Sequence, residues 1–413
     1  METHSIHYTP THGWSSVFPA VNSPQTLVLI FGPADWQAYA DALMGLKNYY
    51  SQAILIGCSG HGSIAEGNLS DEALVVSITR FHTTQLRLST YQLNQTSDSF
   101  IAGQSLAKNL DDPQLKAILV LSDGLKTNGT ALSEGLNQHL QQPVTIAGGL
   151  SADSLKFKST WVIANQLPQS DLVCGLGLYG ESIHCHSLAR DGWNTFGPER
   201  LVTSATGNQL YSLDGRPALE LYKHYLGERA SELPGASLHF PLAIRYPGRP
   251  HRVIRTTLGI DEASQSLMFA GDIPEGSTAQ LVRGSTHNLL DGAYTASQYL
   301  ANITQAPPIQ TMLLLTISCA ARRLVMLEDT ELELAAACSA FPKNIKQIGY
   351  YSFGELSPRN LALEIAPSSD IFTPQNATSG LSKPTASLCE LHNQTITLTA
   401  IYEQSASWTP EAF

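Results

Sequence analysis

Apolar and polar positions fall into two kinds of block along this chain. The run TLVLIF at 26–31 is unbroken and apolar, as in a strand covered on both faces. The block DWQAYADALMGLK at 35–47 sets Trp36, Tyr39, Ala40, Leu43 and Leu46 at helical spacing, with Asp35 as an N-cap residue type. AILIG (53–57), ALVVSIT (73–79) and the alternating TQLRLSTYQL (84–93) predict strands. SFIAGQSLAKNL (99–110) then predicts a helix, KAILVLSD (116–123) a buried strand, TALSEGLNQHL (130–140) a helix and VTIAGG (144–149) a strand. Strands alternating with helices imply a largely covered α/β sheet.

After about residue 155 the pattern turns to consecutive strands at 157–165, 172–180, 183–189 and 207–215. A helix follows at 216–227, with Pro217 in its first turn, Ala218, Leu221, Tyr222 and Tyr225 on one face, and Gly227 at its end. GERASELPGAS (227–237) marks a shift in composition and a domain junction. Beyond it, strands are expected near 238–246, 251–260, 266–270 and 278–283, and an amphipathic helix over 285–303 with Leu289, Ala293, Ala296 and Leu300 inward. A strand at 311–318, a helix at 328–341, a strand at 346–353 and a strand pair within 386–402 complete the second half, with a polar, Pro-rich loop at 366–386. No repeat of short period is visible. The expected fold class is α/β, mixed and α+β in parts: two layered domains with mixed and antiparallel sheets. The expected bounds are an N-terminal tail 1–22, domains 23–227 and 228–402, and a C-terminal tail 403–413.

Composition narrows the function classes. With 43% hydrophobic and 14% charged residues, the chain has enough apolar material for two cores. A balance of 24 basic against 35 acidic residues, −11 in all, argues against nucleic acid as a partner. The densest basic stretch, AIRYPGRPHRVIR at 243–255, interleaves four arginines with Pro and Gly and reads as a solvated strand pair. No signal-peptide pattern opens the chain, and the most apolar stretch, MLLLTISCAA at 312–321, is too short to span a membrane. Six scattered cysteines without a CxxC pair read as reduced thiols, so a cytoplasmic location is expected.

Four motifs bear on chemistry. GLGLYG at 175–180 has the GxGxxG form, but it lies inside an apolar run with strand-like residues after it, and a dinucleotide fingerprint needs a helix there. IHCHSLAR puts His184 and His186 on one face of a strand, which suits either a metal or haem pair or a polar strand face. ILIGCSGHGSI (54–64) is a strand ending in Cys58, Ser59, Gly60 and His61. It reads as a tight corner, as a turn lining a pocket, or as a Cys- or Ser-dependent hydrolase site, although His61 stands where a nucleophile elbow needs its last glycine. Three late stretches, ISCAARR, GYYSFGELSP and CELHNQTITLT, end apolar strands in small or polar groups. Among these, Arg322 and Glu355 form either a buried ion pair or the two ends of a site for a zwitterion.

The segments LIGCSGHGSI, GGLSADSLKFKSTWV, FGPERLVTSATGNQLYSLDGRPALELYKHYLG, LMFAGDIPEG, SCAARRLV, GYYSFGELSP and LHNQTITLT, in this order, resemble a FIST protein with N- and C-terminal FIST units in tandem, from about 25 to 402. The resemblance implies a non-enzymatic sensory protein of intracellular signalling that binds a small ligand, with amino acids the proposed class. It implies action through a partner such as a histidine kinase or a cyclic-dinucleotide enzyme. The expected pocket lies where the two halves meet, with Cys58, Ser59 and Gly60 on one side and Cys319, Arg322, Glu355 and Asn393 on the other. Arg322 would take a carboxylate or phosphate-like group and Glu355 an amine; no catalytic residue is assigned. Stand-alone members of the family imply a second ligand, haem sensing nitric oxide, for which His184, His186, His61 and His392 are the candidate axial ligands. His4, His7 and His12 fall in the expected tail.

Overall fold

The computed structural model describes residues 1–140, 142–249, 251–304, 311–342, 345–358 and 388–404. Three six-stranded sheets carry the architecture. The first runs in the order Val162–Ala164, Ile54–Ser59, Thr26–Gly32, Leu74–Arg80, Glu2–Thr9, Gly13–Trp14. The second runs Cys389–His392, Gly354–Pro358, Thr145–Leu150, Leu115–Ser122, Leu172–Tyr179, Gln85–Gln92. The third runs Ile183–Arg190, Ile396–Glu403, Leu313–Cys319, Lys346–Ser352, Ser63–Ala65, Asn68–Ser70.

All three sheets are built on one unit: a strand, a helical crossover, a parallel strand, and an antiparallel strand on the free side of the first. In the first sheet this is Thr26–Gly32, the helix Ala40–Tyr49, Ile54–Ser59 and Leu74–Arg80. In the second it is Leu115–Ser122, the helix Gly129–His139, Thr145–Leu150 and Leu172–Tyr179. In the third it is Leu313–Cys319, the helices Ala320–Met326 and Thr330–Cys338, Lys346–Ser352 and Ile396–Glu403.

The units then exchange strands. After Ile54–Ser59 the chain crosses to the third sheet as Ser63–Ala65, pairing with Lys346–Ser352. After Lys346–Ser352 it crosses to the second as Gly354–Pro358, pairing with Thr145–Leu150. After Thr145–Leu150 it crosses to the first as Val162–Ala164, pairing with Ile54–Ser59. The cycle closes. The segments on either side of the expected junction near 227 therefore share the second and third sheets.

Burial follows from the two-faced strands. Leu27, Leu29 and Phe31 point into a central core that also takes Leu119, Leu176, Leu315 and Ile348 from the other sheets. The alternate residues Val28 and Ile30 pack outward under the Ala40–Tyr49 helix. The outer face of the second sheet is covered by the helices Ser99–Leu110 and Gly129–His139, and that of the third by Thr286–Ile303 and part of Thr330–Cys338. A further nine-stranded sheet lies between residues 194 and 283, around its own core with the helix Ala218–Leu226.

Two expectations need correction. Residues 2–9 are not a tail but a strand on Leu74–Arg80, and Ile6 is only 4% exposed. ETHSIHYT carries so few apolar residues that pattern alone leaves it looking unstructured. The strand expected at 157–165 shrinks to Val162–Ala164, because the Asp153 carboxylate gathers the backbone N–H groups of Lys156, Phe157, Lys158 and Ser159 into a loop. GLGLYG does lie within a strand, Leu172–Tyr179. The loop expected at 366–386 lies outside the described residues.

Candidate functional site

The three crossovers lie at the carboxyl ends of the parallel pairs, where open α/β sheets bind ligands. Backbone hydrogen bonds join them in a ring. Ala152 N–H donates to the Ser59 carbonyl at 2.9 Å, His61 N–H to that of Tyr351 at 2.8 Å, and Phe353 N–H to that of Leu150 at 3.3 Å.

At the first crossover, Cys58 is fully buried in the central core and burial pushes its thiol well above the usual range. Ser59 is also fully buried, and its hydroxyl oxygen accepts from Trp161 N–H at 3.1 Å. His61 is lowered to about 4 by burial and by Arg323, and its Nδ1 has no partner. A nucleophile needs an accessible, activated thiolate or alkoxide. Cys58 and Ser59 are held in the opposite state, so the IGCSGHG corner is a strand crossover. In the folded chain, iodoacetamide at pH 8 is expected to label the half-buried Cys338 while leaving Cys58 untouched. Peptide mapping that found Cys58 modified first would reverse this assignment.

Arg322 lies in the first turn of the short helix Ala320–Met326 that follows Leu313–Cys319 and is 0% exposed. Its Nε and Nη2 donate to Glu333 Oε1 at 2.8 and 2.6 Å, and Nη2 also to the Leu289 carbonyl at 3.0 Å. Nη1 donates to the carbonyls of Asp191 and Gln394. All five guanidinium donors are thus engaged. The direct Arg322–Glu355 pair is not formed, and Arg322 has no donor left for a ligand carboxylate. Sequence reasoning missed Glu333; its one signal is its place on the inward face of the Thr330–Cys338 helix with Thr330, Leu334 and Ala337.

Glu355 instead sits in a polar seam between the second and third sheets. Its Oε1 accepts from the Ser352 hydroxyl at 2.5 Å, and Oε2 accepts from Thr395 N–H at 3.3 Å and the Thr395 hydroxyl at 2.7 Å. Burial raises its pKa to about 8, and these hydrogen bonds and distant Arg322 offset only part of the cost. Burial thus favours the protonated carboxyl.

Cross-strand register places His392 and Gly149 on either side of Glu355. His392 donates to the Ser357 carbonyl, which leaves Nε2 as an acceptor, buried and without a partner; burial lowers the ring to about 4. The Tyr350 ring stacks on Phe31 at 4.8 Å, and its hydroxyl meets the Cys58 thiol and lies 2.8 Å from where a Cβ on Gly149 would stand. Thr397, two residues beyond Thr395 and in register with Ile317, has an unpartnered hydroxyl; an Ile317 methyl is 3.1 Å from that same Gly149 position. Ser187, Ser357 and Thr399 close the seam through hydroxyl contacts of 3.2 and 2.9 Å. Each orphaned polar group costs about 1–3 kcal/mol.

Of the expected residues, Glu355 and His392 lie in the seam, and the buried Cys319 faces Glu355 electrostatically. Asn393 is fully buried with both amide atoms unpartnered, beside Gly354 at the rim. Gly60 abuts Tyr350, which separates the first crossover from the seam. Tyr350, Ser352 and Thr397 were not singled out in the sequence, because small hydroxyls and a Tyr inside apolar strands look like ordinary core.

The four histidines named as haem candidates lie at three places in the fold. His184 and His186 lie flat against Tyr402, with ring centroids at 5.2 and 6.0 Å, and His186 is lowered to about 4 chiefly by burial. His61 and His392 are half-buried, and Nδ1 of the one and Nε2 of the other have no partner. Among the described residues, no three His, Cys, Asp or Glu side chains gather as a metal site, and no helix is long and apolar enough to cross a membrane.

The fold is a closed ring of three α/β sheets that exchange strands. The FIST N domain family model matches residues 26–216 and the FIST C domain model residues 218–358. The chain belongs to the FIST family of signal-transduction sensor domains. Two uncharacterised proteins of Mycobacterium tuberculosis, from strains CDC 1551 / Oshkosh and ATCC 25618 / H37Rv, are similar to it. Each is 23% identical over 355 residues, covering 82% of this chain and 88% of the relative.

Proposed function

We propose that this protein senses a small polar ligand held in the seam around Glu355 and passes the signal to a partner signalling protein, such as a histidine kinase or a cyclic-dinucleotide enzyme. The observation that carries the reading is the buried Glu355, whose carboxyl burial pushes toward its protonated form, with two unpartnered buried atoms nearby in the sheets, His392 Nε2 on the strand paired with it and Thr397 Oγ1 on the Ile396–Glu403 strand. A ligand that completes these hydrogen bonds stabilises one spacing of the second and third sheets over others. That differential affinity is what a sensor requires. The strand exchange links this spacing to all three crossovers.

The test is a thermal-shift screen of small amines, amino acids and short carboxylates on the full chain. A ligand at a hundred times its Kd stabilises the folded state by about 2.7 kcal/mol. At least one compound class is expected to raise Tm, and the rise should vanish in Glu355→Gln. Ligands that stabilise Glu355→Gln and Tyr350→Phe as well as they stabilise the unaltered chain would place the site elsewhere.

A further inference from the structure

We propose that two copies of this chain meet face to face at the crossover end, a basic aromatic knob of each seated on an acidic apolar ledge of the other. The knob is the loop after Thr145–Leu150. Phe157 at its tip is 55% exposed, exposed Lys156 and Lys158 flank it, and its ring stacks on Phe353 at 4.9 Å. Gly124, next to the exposed Leu125, has its Cβ position 3.2 Å from the same Phe353 ring. The ledge is the turn between the helices Ala320–Met326 and Thr330–Cys338. It exposes Leu327, at 71%, and Leu332 among the carboxylates of Glu328, Asp329 and Glu331.

Both surfaces lie next to His61. Arg323, four residues before Leu327, donates to the His61 carbonyl at 2.7 Å, and the charge of Asp153, at the root of the knob, acts on the His61 ring. Each surface is also built in advance. The Asp153 carboxylate accepts from the N–H groups of residues 156–159, and the Leu327 carbonyl accepts from the Thr330 hydroxyl at 2.6 Å. Docking such preformed surfaces loses little ordering entropy. Phe157 and Leu327 hold φ of 51° and 50°, a left-handed conformation that bulky side chains rarely adopt. Each is held there while its side chain stays largely in water, which points to a contact made outside the chain.

Charge selects the occupant. The knob carries two lysines and the ledge three carboxylates. Among the described residues, no ion pair engages Lys156, Lys158, Glu328 or Asp329. Knob against knob, or ledge against ledge, sets like charges together; knob against ledge sets opposite ones. A two-fold axis between two copies forms both knob–ledge contacts at once, so association stops at two. Phe157 and Leu327 then lose their exposure at the centre of each contact, and lysine meets carboxylate at its rim.

The test is the mass of the full chain by sedimentation velocity at micromolar concentration, in low and high salt. Twice the chain's mass is expected in low salt, with the dimer weakened about tenfold in high salt. Phe157→Ala and Leu327→Gly should each weaken it about tenfold or more. Reversing the knob (Lys156→Glu with Lys158→Glu) or the ledge (Glu328→Lys with Asp329→Lys) is expected to give monomers. Mixed in equal amounts, the two reversed variants should dimerise again, because every knob then faces a ledge of opposite charge. A monomeric unaltered chain overturns the proposal, as does a dimer that survives both reversals or a mixture that stays monomeric. Masses that grow past two copies overturn the two-fold arrangement.

Discussion

Arg322→Met is expected to lower stability by about 3–5 kcal/mol, the range for breaking a buried ion pair by removing one partner. Both Arg322 and Glu333 are fully buried, at 0% side-chain exposure. Without the guanidinium, Glu333 keeps only the hydroxyls of Ser318 and Tyr351, each at 2.9 Å, and its charge is left in the core. Three carbonyls also lose a donor: Asp191 after the Ile183–Arg190 strand, Leu289 in the Thr286–Ile303 helix, and Gln394 before Ile396–Glu403. One side chain thus ties together four separate segments around the third sheet. The double variant Arg322→Met with Glu333→Leu removes both charges and should recover a large part of the loss. It will not recover all of it, because the Asp191 carbonyl and the hydroxyls of Ser318 and Tyr351 each lose a partner, while the Gln394 carbonyl keeps the Trp193 indole N–H. Urea midpoints of the two single variants and the double variant provide the comparison. If the double variant's loss relative to the unaltered chain equals the sum of the two single losses, the two residues act independently and the pair is not the anchor.

The same residue shows where the sequence can and cannot be read. Strands such as 26–31, 116–123 and 311–318 were legible because parallel strands covered on both faces leave unbroken apolar runs. Helices with one apolar stripe, such as 285–303, were legible from their period. Partner choice was not legible. Ser63–Ala65, Val162–Ala164 and Gly354–Pro358 each leave their own sheet for the next, and nothing in three to five apolar residues says which sheet receives them. At the site, Glu355 and Asn393 stood out as polar residues in apolar surroundings. The pairing of Arg322 with Glu355 failed because Glu333, in TELEL, has the look of a solvated helix residue and carries its burial only in three dimensions. The hydroxyl of Thr397 escaped notice for a related reason: its residue type is common in strands, and only its missing partner sets it apart.

The strand exchange also fixes which glycines the fold cannot lose. Gly57, Gly148 and Gly349 occupy the second parallel strand of the three sheets, shortly before each crossover. A Cβ added at these positions would stand 2.1 Å from the Ile30 carbonyl oxygen, 1.8 Å from that of Val120 and 1.6 Å from that of Thr316. In each case the obstacle is the backbone of the neighbouring parallel strand, which is paired on its other side and has no room to move. Alanine at any one of the three is expected to cost on the order of 4 kcal/mol or more, enough to remove most soluble protein. Gly45→Ala is the matching control: it lies within the Ala40–Tyr49 helix with nothing inside 4 Å of the added methyl. That change is expected to stabilise by about 0.5–1 kcal/mol. Circular dichroism and thermal melts of the four purified variants separate these outcomes. Three losses of similar size would mean that the repeated unit is physically equivalent in each sheet, so that the ring of crossovers stands or falls together. A tolerated alanine at one of them would mean that its parallel pair can part locally, and the seam built on that pair would then be the place to look for the motion a sensor uses.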